Sequence, residues 1–169
     1  HSNFILLSEG RVIDSIKRID FATSSVRQIL PGVEYRLPPM QGKLNIETET
    51  IETITSKILS FENKMLSGAI MNTLEGVSPI VAREIAHRVC FCDEAVSELS
   101  GIQLSILKEE LKRIKDNLHH TEDLYMLLTL EGKPKDLSHI EIKQYDDTFS
   151  VKKYQSASEL LDDFYFERD

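Results

Sequence analysis

Leu74-Glu75-Gly76-Val77-Ser78-Pro79 reads as a helix stop followed at once by a helix start. Gly76 reaches, without steric cost, the left-handed conformation that a helix C-terminus favours. Ser78 suits an N-cap, because its hydroxyl accepts an orphan backbone N–H of the next helix. Pro79 falls at the first helical position, where its missing N–H costs nothing and its fixed φ fits. Two helices joined this tightly make a helix-hairpin-helix. The open amides that begin the second helix form a cradle for a phosphate, which points to a nucleic-acid backbone.

On both sides of this corner apolar residues recur at a period near 3.6. From Thr48 onward, Ile51, Ile54, Ile58 and Leu59 predict a first helix. Asn63 is placed to cap a second, with Leu66, Ile70 and Leu74 on its buried side. The third helix runs from 79 to about 89 and buries Val81, Ala82, Ile85 and Val89. A fourth begins near Asp93. In the fifth, Leu104, Leu107, Leu111, Ile114 and Leu118 repeat at alternating spacings of three and four. Lys108, Glu109, Lys112, Arg113, Lys115 and Asp116 take its other faces, and Lys112 and Arg113 are expected to pair with Glu109 and Asp116.

The flanks read as β-structure. Residues 3–7 are an apolar run, Ser8-Glu9-Gly10 a turn, and 12–19 a second run rich in β-branched residues, which predicts a hairpin. Val12, Ile16 and Ile19 also fit a helical period, so both readings stand for the second run. Pro31-Gly32 marks a turn, and Pro38-Pro39 an extended boundary between a sheet part and a helical part. Downstream, 125–130 predicts a strand turned by Glu131-Gly132-Lys133-Pro134, with 140–142 pairing back and 149–154 as a third strand. Ser156 and Glu159 have capping-box spacing and open a last helix. Leu160, Leu161 and Phe164 lie on one side of it, and Glu159, Asp162, Asp163, Glu167 and Asp169 make this end acidic. The expected class is α+β: a partial β-sheet part, a helical helix-hairpin-helix bundle, and a small β part leading to an outgoing helix.

Charge argues against a dedicated nucleic-acid module. The 169 residues carry a formal net charge of −8, and such modules gain affinity by releasing counterions from phosphates. Any contact with RNA must come from a local basic face or from other parts of a larger protein. The first 45 residues supply one such region: Arg11, Lys17, Arg18, Arg27, Arg36 and Lys43 stand against Glu9, Asp14, Asp20 and Glu34. The apolar share of 41 % excludes wholesale disorder. Cys90 and Cys92 are too close for a good disulfide and fit a reducing, cytoplasmic setting. No apolar run is long enough to span a bilayer, so no membrane partner is expected. The chain begins with His1 and shows no charged segment followed by an apolar one. It is expected to be an internal piece of a longer polypeptide.

The ordered set of segments resembles the NFACT family, the fibronectin-binding-protein-A-like group whose bacterial members are RqcH-type factors. The likeness runs from His1-Ser2-Asn3-Phe4-Ile5-Leu6-Leu7 through Val12-Ile13-Asp14-Ser15-Ile16-Lys17 and Ser25-Val26-Arg27-Gln28-Ile29-Leu30-Pro31-Gly32. It continues through Tyr35-Arg36-Leu37-Pro38-Pro39, Lys43-Leu44-Asn45 and Glu75-Gly76-Val77-Ser78-Pro79. Gly132-Lys133-Pro134-Lys135-Asp136-Leu137-Ser138 and Ser156-Ala157-Ser158-Glu159-Leu160-Leu161-Asp162 complete it. The resemblance implies three parts. Residues 1–47 would be the back of an NFACT-N domain, 48–122 the helix-hairpin-helix domain, and 123–169 a small β segment that starts a coiled-coil arm. It also implies ribosome-associated quality control, with tRNA and the obstructed large ribosomal subunit as partners and support of C-terminal tailing of stalled chains. The family's Asp-Arg pair lies upstream of this segment, so the piece alone is expected to be non-catalytic and incapable of tailing.

The candidate RNA-binding residues are the amides of Gly76, Val77 and Ser78, with Arg83, His87 and Arg88 behind them. Arg83, Glu84, His87 and Arg88 are expected opposite the buried stripe of the third helix, and Arg offers forked donors to phosphate. The plain alternative is a solvated face and a structural hairpin. Arg27, Lys17 and Arg18 are candidates for a tRNA-facing surface, with Arg11 beside the latter two on a hairpin edge. The alternative is edge-strand charge that prevents aggregation. His87, Cys90 and Cys92 lack a fourth ligand for zinc, so buried free thiols are expected, with no metal or cofactor. Two other functions compete. One is a surface adhesin binding fibronectin, or a structural interaction module. The other is an enzyme descended from the DNA glycosylase architecture, which needs a catalytic N-terminus this chain does not contain.

Overall fold

In a computed structural model of the chain, residues 3–39, 41–120 and 123–166 are described. His1, Ser2, Glu167 and Asp169, on which parts of the sequence reading fall, lie outside the described residues, as does Glu122 at an expected domain boundary. The chain divides into two compact units, 1–42 and 43–169. The architecture is mixed α+β, with two antiparallel sheets and five α-helices among the described residues.

In the first unit β1 (Ile5–Ser8) pairs antiparallel with β2 (Arg11–Ser15). Glu9 and Gly10 both take positive φ, 50° and 76°, which matches the twist a tight hairpin needs. The strand reading of 12–19 therefore holds as far as Ser15, and Ile19 then pairs with Ile29. The segment around Pro31-Gly32 runs back along β2, with Val12 N–H donating to Val33 O at 2.9 Å and Tyr35 N–H to Gly10 O at 2.8 Å. Val12 and Ile29 are buried, whereas Phe4 and Ile16 are 79% and 76% exposed. A unit this small closes little core of its own.

The second unit packs α1 (Ile51–Leu59), α2 (Leu66–Thr73), α3 (Pro79–Cys90) and α4 (Gly101–Asn117) around one core. Ile54, Ile58, Leu66, Ile70, Ile80, Ile85, Leu107 and Leu111 are its buried centre. Thr50 caps α1 through Thr53 N–H at 3.1 Å. A second sheet has the order β4-β3-β5, from β3 (Leu124–Thr129), β4 (Pro134–Ser138) and β5 (Phe149–Tyr154). Leu127 contributes to the helical core. Met126 and Tyr154 instead meet Leu160 and Phe164 of α5 (Ala157–Phe166). This opposite-facing alternation of neighbouring strand residues sandwiches β3 between the helical core and α5.

Several local expectations are corrected. Met65, not Asn63, occupies the N-cap of α2, which has no side-chain cap; Ser67 N–H and hydroxyl instead bond the Asp93 carboxylate. No α-helix begins near Asp93: the segment forms only a 3-10 turn, Val96–Glu98. The regular helix starts after Ser100, whose hydroxyl and Gln103 make a reciprocal capping box. Residues 140–142 do not pair back; β4 is Pro134–Ser138, and Ile140 and Ile142 drop into the helical core as anchors. Arg113 pairs with Glu110 at 2.6 Å, not with Glu109 or Asp116.

Candidate nucleic-acid interface

The corner between α2 and α3 is built from the residues that mark it in sequence. Leu74 N–H closes α2 onto Ile70 O at 2.9 Å, and Glu75 N–H is taken by Leu44 O at 3.0 Å. Gly76 then turns the chain at φ 72°. Ser78 is the N-cap, its Oγ accepting from Val81 N–H at a long 3.5 Å, and Pro79 is the first helical residue. The backbone N–H groups of Gly76, Val77 and Ser78 donate to no group among the described residues. Gly76 is exposed, and Val77 and Ser78 are half-buried. The positive end of the α3 dipole and three open donors therefore coincide.

Arg83, one turn into α3, is exposed, and its Nη2 donates to the Tyr145 hydroxyl at 3.2 Å. Tyr145 is itself braced by Phe149, with ring centroids 5.0 Å apart. A guanidinium held at one corner by a neutral hydroxyl keeps its charge and its remaining donors for an anion.

Glu84 and Arg88 do not share that open face. Glu84 is fully buried. It accepts from Arg88 Nε at 2.8 Å, Lys143 N–H at 2.8 Å and Gln144 N–H at 3.0 Å. Arg88 also bonds Glu110 at 3.2 Å and the carbonyl of Glu141. Burial pushes the Glu110 carboxyl above its ordinary range, with Arg88 opposing. This network ties the chain after β4 onto α3 and α4 and uses the Arg88 donors internally. Arg88 is thereby corrected from a phosphate-facing group to an internal tether. α3 buries most of its circumference, because it packs on α2 and α4 while the 140–145 segment crosses it. Sequence periodicity registers helix neighbours but not a crossing loop. His87 is half-buried, and its Nδ1 lies 3.0 Å from Phe91 O at the C-terminal turn.

In the first unit, Lys17 is exposed and its backbone is clamped by Asn3, which accepts from Lys17 N–H and donates to Lys17 O. Arg18 forms an exposed pair with Asp14 at 3.4 Å. Arg27 is half-buried, with its guanidinium 5.3 Å from the centre of the Tyr35 ring. Arg11 donates to Gly32 O at 3.0 Å. The signal that finds the Arg27 stack is an aromatic eight residues on, across the Pro31-Gly32 turn, which returns the chain beside itself.

Cys90 is buried and Cys92 exposed, correcting the expectation that both thiols are buried. No cluster of His, Cys, Asp and Glu suited to a metal occurs among the described residues. No helix among them is long and apolar enough to cross a membrane.

A sequence model of NFACT N-terminal and middle domains matches residues 1–169. The chain is 31% identical over 176 residues to Rqc2 homolog RqcH of Bacillus subtilis, covering 100% of this chain and 28% of that protein. It is 33% identical over 95 residues to Rqc2 homolog RqcH of Streptococcus suis, covering 53% of this chain and 16% of that protein. It thus spans little more than a quarter of the longer match. Among solved structures it is similar to the fibrinogen binding protein from Staphylococcus aureus, at 26% identity and TM-score 0.69 over 98% of this chain and 55% of that one. The N-terminal part of the fibronectin/fibrinogen-binding protein from Streptococcus suis matches at 25% identity and TM-score 0.61, over 100% of this chain and 54% of that one.

Proposed function

The chain belongs to the NFACT family, and from that premise we propose that it is the RNA-engaging part of a ribosome-associated quality-control factor. In this reading it helps hold tRNA and the obstructed large ribosomal subunit during C-terminal tailing of stalled chains, and it makes or breaks no covalent bond itself. The observation that carries the reading is the α3 N-terminus. Three unpaired amides at Gly76, Val77 and Ser78 sit at the positive end of a helix that also presents the exposed Arg83. Together they suit a phosphate of an RNA backbone. Lys17, Arg18 and Arg27 add cationic donors in the first unit, within an otherwise acidic chain. His87 is a peripheral member of the set.

The test is co-sedimentation of the full-length protein with large ribosomal subunits, followed by sequencing of the RNA that co-purifies. Recovery of tRNA with the subunit fraction is expected, and its loss in an Arg83→Glu variant ties the effect to α3. A protein that leaves both subunits and tRNA in the supernatant refutes the reading.

The names of the two solved structures favour a second reading, a surface protein that binds fibronectin or fibrinogen. Cell fractionation separates the two. Exclusive surface location without ribosome association selects the adhesin.

A further inference from the structure

We propose that the first unit carries a separate oxyanion pocket, built by Arg27 and Arg36, that takes one RNA backbone phosphate. A recess of about 140 Å³ lies between Val26, Arg27 and Gln28 on one side and Val33, Glu34 and Arg36 on the other. That volume admits a phosphate group and excludes a nucleotide. The Arg27 Nε is shielded from solvent and has no hydrogen-bond partner among the described residues. Its guanidinium lies over the Tyr35 ring. Leaving that Nε–H shielded and unpaired is costly, and it leaves the terminal nitrogens of Arg27, which pair with no group among the described residues, as its donors for an anion. Arg36 is exposed and forms no ion pair among the described residues. Glu34 lines the same recess, yet neither arginine pairs with it.

The backbone around the pocket is held before any ligand arrives. Ser24 Oγ accepts from Val26 N–H and Arg27 N–H, each at 3.3 Å, and Gln28 Nε2 donates to Ser24 O at 3.1 Å. Ile19 and Ile29 exchange backbone bonds at 3.0 and 2.8 Å, closing the loop that presents Arg27. The cation–π contact with Tyr35 restrains the Arg27 side chain, so less freedom is lost when an anion binds. Two arginines and one glutamate line this recess, so its lining carries net positive charge, which favours an oxyanion with several acceptor oxygens.

That the recess binds an oxyanion stands on this geometry alone; that the oxyanion belongs to RNA rests on the function proposed above. The test uses the whole chain in two measurements. First, inorganic phosphate and, in parallel, an acidic peptide are titrated while the Arg Nε–H resonances are followed by NMR, in the native sequence and in Arg36→Gln. A saturable shift of the Arg27 resonance, abolished by Arg36→Gln, is expected. Second, tRNA binding is measured over a salt series for the native chain, Arg36→Gln and Arg83→Glu. Arg36→Gln is expected to weaken binding roughly tenfold and to reduce the salt slope by about 1. An Arg27 resonance unmoved by phosphate overturns the pocket. If tRNA binding then still depends on Arg83, the function proposed above survives without it. A phosphate shift with tRNA binding untouched by Arg36→Gln overturns the assignment to RNA. A shift produced by an acidic peptide but not by phosphate assigns the recess to a protein partner instead, and also overturns it.

Discussion

Replacing Glu84 with Ala should be among the most damaging single substitutions in the second unit. The carboxylate is fully buried, and three donors converge on it: Arg88 Nε, Lys143 N–H and Gln144 N–H, all within 3.0 Å. Removing it orphans two backbone amides and leaves the Arg88 charge, only 15% exposed, with Glu110 as its remaining carboxylate. Breaking one side of a buried pair costs about 3–5 kcal/mol. A ~4 kcal/mol loss in a domain of this size lowers the melting temperature by roughly 10–20 °C. Glu84→Gln keeps an acceptor for the backbone amides but turns an amide donor or a neutral oxygen toward Arg88. Its cost should be about 2 kcal/mol, near that of one charge-assisted bond. Urea unfolding of both variants, with Arg88→Gln and the double variant, gives a coupling energy between Glu84 and Arg88 expected at about 1–3 kcal/mol. A Glu84→Ala loss below about 1 kcal/mol, or no measurable coupling, refutes the network. The same reasoning decides how RNA binding should be probed. Arg88→Glu would put a third carboxylate beside Glu84 and Glu110, so lost binding in that variant reports unfolding. Arg83→Glu alters an exposed side chain whose one hydrogen-bond partner among the described residues is the Tyr145 hydroxyl.

Arg83→Glu in the full-length protein should weaken tRNA binding by an order of magnitude or more and reduce the dependence on log salt by about 1, read by fluorescence anisotropy with the melting temperature unchanged. Asp163 should mark acid loosening of α5: hydrogen bonding from Tyr154, then from Lys152, holds its carboxyl below the ordinary carboxylate range. Its folded value is depressed, so its stabilisation is complete above the ordinary carboxylate range and is lost as pH falls through the lower folded value. Asp163→Asn should accordingly flatten the acid side of a thermal-stability profile, and an unchanged profile counts against the Tyr154–Asp163–Lys152 clip. The Cys90 thiol is pushed up to about 11, chiefly by burial, whereas Cys92 is exposed. A thiol reagent at mildly alkaline pH should modify one cysteine per native chain and the second only on unfolding; simultaneous reaction of both means Cys90 is accessible.

The parts of the fold that sequence announces are those whose signal is local. Ser78 and Pro79 perform the conformational tasks their chemistry suggests, whereas Gly76 takes its positive φ two residues beyond Leu74, the extended C-cap that ends α2; the leucine spacing of α4 survives as Leu107, Leu111 and Ile114 in the core. The misread parts needed partners distant in the chain. Ile140 and Ile142 look like an alternating strand, but apolar alternation describes only which side is buried. Here they reach the helical core from an irregular segment that Glu84 and Arg88 pin through its backbone. Asn63 loses the cap of α2 because Asp93, 26 residues from Ser67, reaches the first turn instead. The Ser100–Gln103 spacing is a capping-box signal that a helix start placed near Asp93 overlooks, and it prevails because it satisfies two orphan donors reciprocally.

The candidate interface shows the same division at the level of charge. Sequence groups Arg83, His87 and Arg88 because they follow one another along a helix. The fold separates them by asking which donors are already used. Arg88 shows three bonded donors, to Glu84, Glu110 and Glu141 O. His87 closes a helix end, and Arg83 keeps most of its fork open. A count of basic residues therefore overstates the capacity of this chain for phosphate, and its acidic total understates it. What matters for a polyanion is the number of cationic or amide donors without an internal acceptor. By that criterion the α3 N-terminus with Arg83 and the recess between Arg27 and Arg36 are two places, in two different units, where an acidic protein still has donors to give.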